Sequence, residues 1–370
     1  MRRSEPSADQ FLLQSPAVET TCGGVAIQPS YSEDLRIETT RISSTDGRDQ
    51  PEKRQVVLNF AVDAKGRTRD IRPASTRAPH LSGAILVPGI QSSDLEQAAL
   101  AAWRFPGGPR GDCRMTISYS AKLIAEATKS DLLHYFAVTR SRGPIRNAVA
   151  ERLAGPGANC GSDGRGGRAP RTLSYPDNRI GQRPPPGGRS WSVVRWNVSP
   201  DGATTDVETL GSSGDTAFDS ETRRAVSESV VQSGAPLKGC VYNFYRNGER
   251  LPAPDLPTRD EDPLQVCPAE VGTRFQARGG PESFPRAFHE RGIEGWALVR
   301  FDLATWGEVG NVEVIDAQPA AAFGDSARRT VQSGRAEPAY TAGVRCVVPV
   351  RYTMPETTTN ETTSNDIAAD

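Results

Sequence analysis

The chain has 370 residues, with 44 Lys and Arg against 45 Asp and Glu, a net charge of −1 and 3 His. That balance excludes the basic excess of a nucleic-acid-binding surface. No run of 18 apolar residues occurs, so no transmembrane helix is expected. Residues 1–20 read as a polar lead-in, and residues 21–120 as a first unit. Its opening stretch, Cys22 to Arg54, is weakly patterned. Val56 to Val62, a turn at Asp63-Ala64-Lys65-Gly66, and Thr68 to Ile71 then predict a hairpin. Residues 72–93 read as an insertion. Asp94 to Trp103 predicts a helix with Ser93 or Asp94 at its N-cap. Cys113, Met115, Ile117 and Tyr119, alternating, predict a last strand.

Residues 121–158 predict a helical connector, from the spacing of Leu123, Ile124, Leu132, Leu133 and Phe136 and from Pro144, which suits a first helical turn. A second unit spans 159–247. It has a Gly/Arg/Pro-rich loop, a hairpin around Ser199-Pro200-Asp201-Gly202, a helix from Phe218 to Val231 and a strand from Cys240 to Tyr245. Residues 248–265 form a Pro-rich, acidic linker. A third unit spans 266–354, with a hairpin about Gly307, a helix from Asp325 to Ser333 and a last strand from Val344 to Tyr352. The Thr-, Asn- and Asp-rich end, 355–370, is expected to be disordered.

The three units share a frame. Phe60, Trp196 and Phe301 each precede a glycine (Gly66, Gly202, Gly307) by six residues, and an acid or amide (Asp70, Asp206, Asn311) follows each glycine by four. Two offsets held in three places indicate an internal repeat. The six cysteines obey it, one before each hairpin and one on each last strand. The frame therefore selects Cys22–Cys113, Cys160–Cys240 and Cys267–Cys346 from the 15 possible pairings. A metal site is disfavoured because no closely spaced cysteine pair exists, and no one cysteine stands out as a reactive thiol. Disulfides require an oxidising compartment, so a periplasmic location is expected. Because Met1-Arg2-Arg3-Ser4 leads into no apolar segment, a signal or anchor upstream of residue 1 is expected too.

No catalytic constellation emerges. His80, His134 and His289 fall at unrelated positions of the frame and read as structural. Gly211-Ser212-Ser213-Gly214 lacks the G-x-S-x-G form of a nucleophile turn. Asp70, Asp206 and Asn311 recur once per unit and read as turn caps rather than acid/base groups. Arg165, Arg168, Arg171, Arg179 and Arg183 read as a solvated loop, and Trp191, Trp196, Phe301 and Tyr352 as core. No cofactor and no metal are expected, and the chain reads as a non-enzyme.

With the frame laid out, the third unit resembles the C-terminal domain of TonB energy transducers. The resemblance is carried by Phe284-Pro285, Gly292-Ile293-Glu294-Gly295, Gly307, Asn311-Val312, Phe323 to Val331, and Val348 to Tyr352. The second unit matches at Tyr175-Pro176, Gly202, Ser212-Ser213-Gly214 and Phe218-Asp219, and the first keeps the hairpin, helix and last strand. The resemblance implies an α+β protein of three tandem two-layer domains, each a three-stranded antiparallel sheet with helices on one face. It also implies that the last strand is an edge that pairs with a partner peptide by strand addition. The edge residues so implied are Val347, Val348, Val350 and Tyr352. The partner would be a protein or peptide, with an outer-membrane TonB-dependent transporter as the implied case. The alternative is a structural tandem whose edges are already covered.

Overall fold

The computed structural model describes residues 11–35, 38–41, 55–74, 93–138, 144–160, 174–231, 235–257, 283–336 and 344–355. The elements follow as β1 (Phe11–Cys22), β2 (Val25–Ala26), β3 (Glu38–Arg41), β4 (Gln55–Val62), β5 (Thr68–Pro73), α1 (Asp94–Ala102) and β6 (Arg110–Leu123). A short 3-10 turn (Ile124–Glu126), α2 (Lys129–Val138) and α3 (Pro144–Ala154) lead to β7 (Arg189–Val198), β8 (Thr204–Ser212), α4 (Thr216–Ser227) and β9 (Leu237–Asn247). The last group is α5 (Arg286–His289), β10 (Gly295–Leu303), β11 (Val309–Gln318), α6 (Ala321–Gln332) and β12 (Val344–Tyr352).

Three antiparallel sheets result, and each predicted hairpin (β4-β5, β7-β8, β10-β11) forms one end of its sheet. The strand orders are β8-β7-β9, β11-β10-β12, and β2-β1-β6-β4-β5 with β3 on β1. In each, an aromatic on the first hairpin strand lies opposite a disulfide-bonded cysteine on the last strand: Phe60 opposite Cys113, Trp196 opposite Cys240, Phe301 opposite Cys346. The turn glycines are alike too. Gly66, Gly202 and Gly307 have φ of 74°, 88° and 88°. Their carbonyls accept the N–H of Phe105 (2.9 Å), Val231 (2.8 Å) and Ala336 (3.0 Å), which tie each hairpin to the segment after its helix.

A Cβ on Gly307 would sit 2.1 Å from the Ala336 carbonyl oxygen. Gly307→Ala is therefore expected to cost about 3 kcal/mol, from left-handed strain plus a displaced backbone hydrogen bond. A lowered urea midpoint followed by tryptophan fluorescence would report it, and an unchanged midpoint would contradict it.

Asp70, Asp206 and Asn311 do not cap turns. They have φ of 51°, 52° and 48° and sit beside a register shift in each hairpin, between Asn59 and Ala61, Arg195 and Asn197, and Arg300 and Asp302. They are left-handed bulge residues, a conformation that Asn and Asp tolerate because a short polar side chain can bond locally. The Asn197 amide donates to Asp206 (2.7 Å), and the Asn311 amide donates to Asp302 (2.8 Å). The first hairpin has Ala61 at that place, and Asp70 instead bonds Gln318 of the third sheet.

Several expectations are corrected. Residues 11–20, read as a polar lead-in, belong to β1, which pairs with β6 from Leu12 opposite Leu123 to Cys22 opposite Cys113. Its sequence looks unstructured because, apart from Leu13 and Cys22, which enter the cores, it is held mainly by main-chain bonds. The first sheet thus has six strands rather than three. The second sheet carries helices on both faces. Val194, Trp196, Val198, Phe218, Val226 and Phe244 form the core on the α4 side. On the other face Trp191 and Val193 pack with Leu132, Phe136 and Val149 of the connector helices. The bulge between Val193 and Val194 allows both flanks of β7 to be apolar. The connector therefore fills a second core, and its first residues, Ala121 to Leu123, continue β6.

The first and third sheets share one continuous core that includes Leu58, Phe60, Leu100, Phe288, Phe301 and Phe323. They meet where Ile71 N–H donates to Pro319 O (3.0 Å) and Ala322 N–H donates to the Gln97 amide oxygen (3.2 Å). The 248–265 stretch is not a free tether at its start. Leu251 bridges in parallel with Ile293, and the Trp296 indole donates to Pro254 O (2.9 Å). A short loop also ties all three sheets together. Glu33 accepts from Arg291 and from the Arg189 N–H, its carbonyl accepts from the Trp103 indole, and Asp34 accepts from the Trp191 indole (2.7 Å).

The bridges Cys22–Cys113 and Cys160–Cys240 are present as the spacing predicts. Cys346 is disulfide-bonded, and Cys267, its expected partner, lies outside the described residues, as do His80, Arg165, Arg168, Arg171 and the 356–370 end.

Candidate peptide-binding edge

Among the described residues β12 pairs only with β10, nine positions from Gly295 opposite Tyr352 to Leu303 opposite Val344. Its other side is the edge that the sequence singles out. The four expected edge residues divide between two faces. Val348 and Val350 pack against the shared core and Tyr352 is part of it, its ring lying 5.5 Å from Phe284 and 5.4 Å from Phe323. Burial raises the Tyr352 phenol above its usual pKa. These three side chains build the sheet and are not presented to a ligand. Val347, on the opposite face, is buried as well. What the edge offers is main chain.

Pro349 orients that main chain. A proline ring nitrogen has no hydrogen to give to a ladder, so within a strand it faces the open side. By alternation the N–H and C=O groups of Arg345, Val347 and Arg351, and the C=O of Pro349, face away from β10. The first sheet shows the same side filled. On β6 the matching groups face β1, and Gly23 N–H continues the pairing onto Asp112 O (3.0 Å). Pro16 of β1 lies opposite Tyr119, where its nitrogen faces away from β6. On the second sheet, the N–H groups of Asn159 and Cys160 both donate to Lys238 O at the start of β9 (3.0 and 3.2 Å).

The charges on the β12 edge are basic. Arg345 and Arg351 are exposed, and the strand has no acid. Arg345 pairs with Asp302 at 2.9 Å, which together with the Asn311 amide holds the Asp302 carboxyl below its usual pKa. Arg351 makes no ion pair among the described residues.

The other singled-out groups are absorbed by structure. His134 lies edge-on to Trp191 and 3.7 Å from Asp34, and His289 is edge-on to Phe284. Ser212 donates to Asp219 (2.7 Å), and Ser213 accepts from Trp191 N–H (2.9 Å), so the Gly-Ser-Ser-Gly turn is an anchored loop. Arg179 pairs with Asp177, and Arg183 approaches Glu249 at 3.7 Å. No helix among the described residues is long and apolar enough to cross a membrane. The sequence reading missed β1, whose one signal was period-two alternation in Pro16, Val18 and Thr20 running into Cys22.

The third sheet, backed by helices on one face and with β12 paired on one side among the described residues, is a small α+β unit. Residues 281–354 match the family model described as the C-terminal of the Gram-negative bacterial TonB protein, which covers this sheet and its helices. That family is an envelope domain concerned with protein interaction, and the match carries this general role for the segment. A comparison with curated proteins returns no match.

Proposed function

We propose that this chain is a non-enzymatic, periplasmic protein-interaction protein that binds an extended peptide of an envelope or outer-membrane transport partner along the edge of β12. The observation that carries the reading is a β12 edge that pairs with no second strand among the described residues, on the segment that matches the TonB C-terminal family, whereas the corresponding edge of β6 holds an added strand. The shared aromatic–cysteine register and turn-glycine geometry support three divergent copies of one unit, with divisions near 21–120, 159–247 and 266–354. The expected Cys267–Cys346 bridge belongs to the same reading.

The test is amide exchange on the full chain, with and without a peptide copied from the periplasmic end of an outer-membrane transporter. The amides of Val347 and Arg351 should gain protection, whereas those of Val348 and Val350, which face β10, should not change. No protection at millimolar peptide would overturn the proposal. A second reading, a structural tandem with closed edges, is favoured by β1 on β6 and by Asn159 and Cys160 on Lys238. It requires slow exchange at Val347 and Arg351 with no peptide present.

A further inference from the structure

We propose that the first sheet carries a binding site for a short zwitterionic peptide, of dipeptide size, seated between Asp112 and Arg114 on the face turned away from α1. The site lies far in the chain from β12 and does not depend on any strand added there.

On that face, the positions just before and just after the aromatic of the first hairpin strand are well filled in two of the sheets. The second sheet has Arg195 and Asn197 there, and the third has Arg300 and Asp302. Arg195 pairs with Glu208, and Arg300 pairs with Glu313 at 3.2 Å. The Asn197 amide donates to Asp206 (2.7 Å), and its oxygen accepts from Gly239 N–H (2.9 Å). Asp302 accepts from the Asn311 amide (2.8 Å) and from Arg345 (2.9 Å). Asn197 and Asp302 thus each bridge the left-handed bulge residue to the last strand.

The first sheet has Asn59 and Ala61 at these positions, and alanine has no polar atom with which to make the bridge. A depression of about 480 Å³ lies there instead, lined by Asn59, Ala61, Asp70, Arg72, Asp112 and Arg114. That is the size of a small-ligand pocket, and its lining carries two acids against two bases. Asp70 and Arg72 are engaged by the third sheet: the Gln318 amide donates to Asp70, and Arg72 pairs with Asp316 at 3.2 Å. Asp112 and Arg114 are exposed and make no ion pair among the described residues. A lone anion or a lone cation would suit one of them and be repelled by the other. Residues two apart on a strand stand up to about 7 Å from each other, and an extended dipeptide spans about 7 Å. Its ammonium meets Asp112, its carboxylate meets Arg114, and the Asn59 side-chain amide meets the peptide group between them.

The test is an NMR titration of the full chain with glycylglycine, with acetyl-glycylglycine, which lacks the ammonium, and with glycylglycine amide, which lacks the carboxylate. Glycylglycine should give saturable shifts of the Asp112 and Arg114 amides with a Kd in the region of ~1 mM. Each blocked peptide should bind about tenfold more weakly, for the loss of one charge-assisted contact. Arg114→Gln and Asp112→Asn, both exposed changes, should each weaken glycylglycine by about the same factor. Ala61→Asn keeps both charges but rebuilds the bridge that Asn197 makes in the second sheet, and should abolish the shifts by filling the depression. Equal binding of the three peptides, or undiminished binding to the Ala61→Asn variant, would overturn the proposal. So would the absence of any saturable shift up to about 50 mM glycylglycine.

Discussion

Replacing Cys160 and Cys240 by alanine is expected to lower the stability of the chain by about 4–5 kcal/mol, the chain-entropy value for a crosslink of this span. The bridge joins residues 80 apart, so its loss releases a long loop in the unfolded chain. It also loosens the native state locally. Apart from the bridge, the Asn159–Cys160 end of the segment after α3 is bonded to the start of β9 around Lys238, by two main-chain bonds from Asn159 and Cys160 and by the side-chain amide of Asn159.

Removal of Cys22–Cys113 makes a useful contrast. Its separation of 91 residues gives nearly the same entropic contribution, because closure entropy grows only with the logarithm of length. There, however, β1 stays on β6 through a continuous antiparallel ladder. Both double variants should therefore unfold at lower urea. Only the Cys160/Cys240 variant should also show faster amide exchange at Lys238 and Cys160 while folded. An unchanged urea midpoint in either would contradict the account.

Arg246→Ala is expected to cost about 3–5 kcal/mol, the range for breaking a buried ion pair on one side. Arg246 is 4% exposed. Its guanidinium pairs with Asp215, donates to the carbonyls of Asn178, Ile180 and Gln182, and lies 4.7 Å above the Phe218 ring. Asp215 is the N-cap of α4, accepting from Phe218 N–H at 3.0 Å. One side chain thus holds the end of β9, the start of α4 and the 178–182 loop.

With alanine, the Asp215 carboxylate loses its counter-charge and three carbonyls lose a donor at once. Lysine keeps the charge but not the planar fork that reaches several acceptors together, so Arg246→Lys should recover only part of the loss. Urea unfolding followed by tryptophan fluorescence would measure both. Equal midpoints for the unaltered protein and the alanine variant would exclude this role for the pair.

Much of the architecture is legible in residues alone. The three hairpins were readable because alternation, a turn glycine and a bulge residue recur at constant offsets, and local geometry depends on local sequence. Gly307 had to be glycine, since any Cβ there would meet Ala336 O. The helix now seen as Ala321–Gln332 was displaced by four residues at its start, because Ala320, its N-cap, makes no side-chain cap bond to mark it. The side chains expected along the β12 edge were misread. Val348, Val350 and Tyr352 look like ligand contacts in a list of apolar residues, yet they belong to the core side of the strand.

By itself the sequence determined the hairpins, the last strands and the Cys22–Cys113 and Cys160–Cys240 pairings, all of which follow from short-range pattern or from a repeated frame. Tertiary structure decided which edges are filled, how α2 and α3 cover the second sheet, and how the first and third sheets merge into one core. The reason is that a strand such as β1 is held by main-chain hydrogen bonds, which every residue type but proline can make on both sides. Its side chains therefore leave almost no record of where it will dock, whereas a core position records its neighbours in its size and polarity.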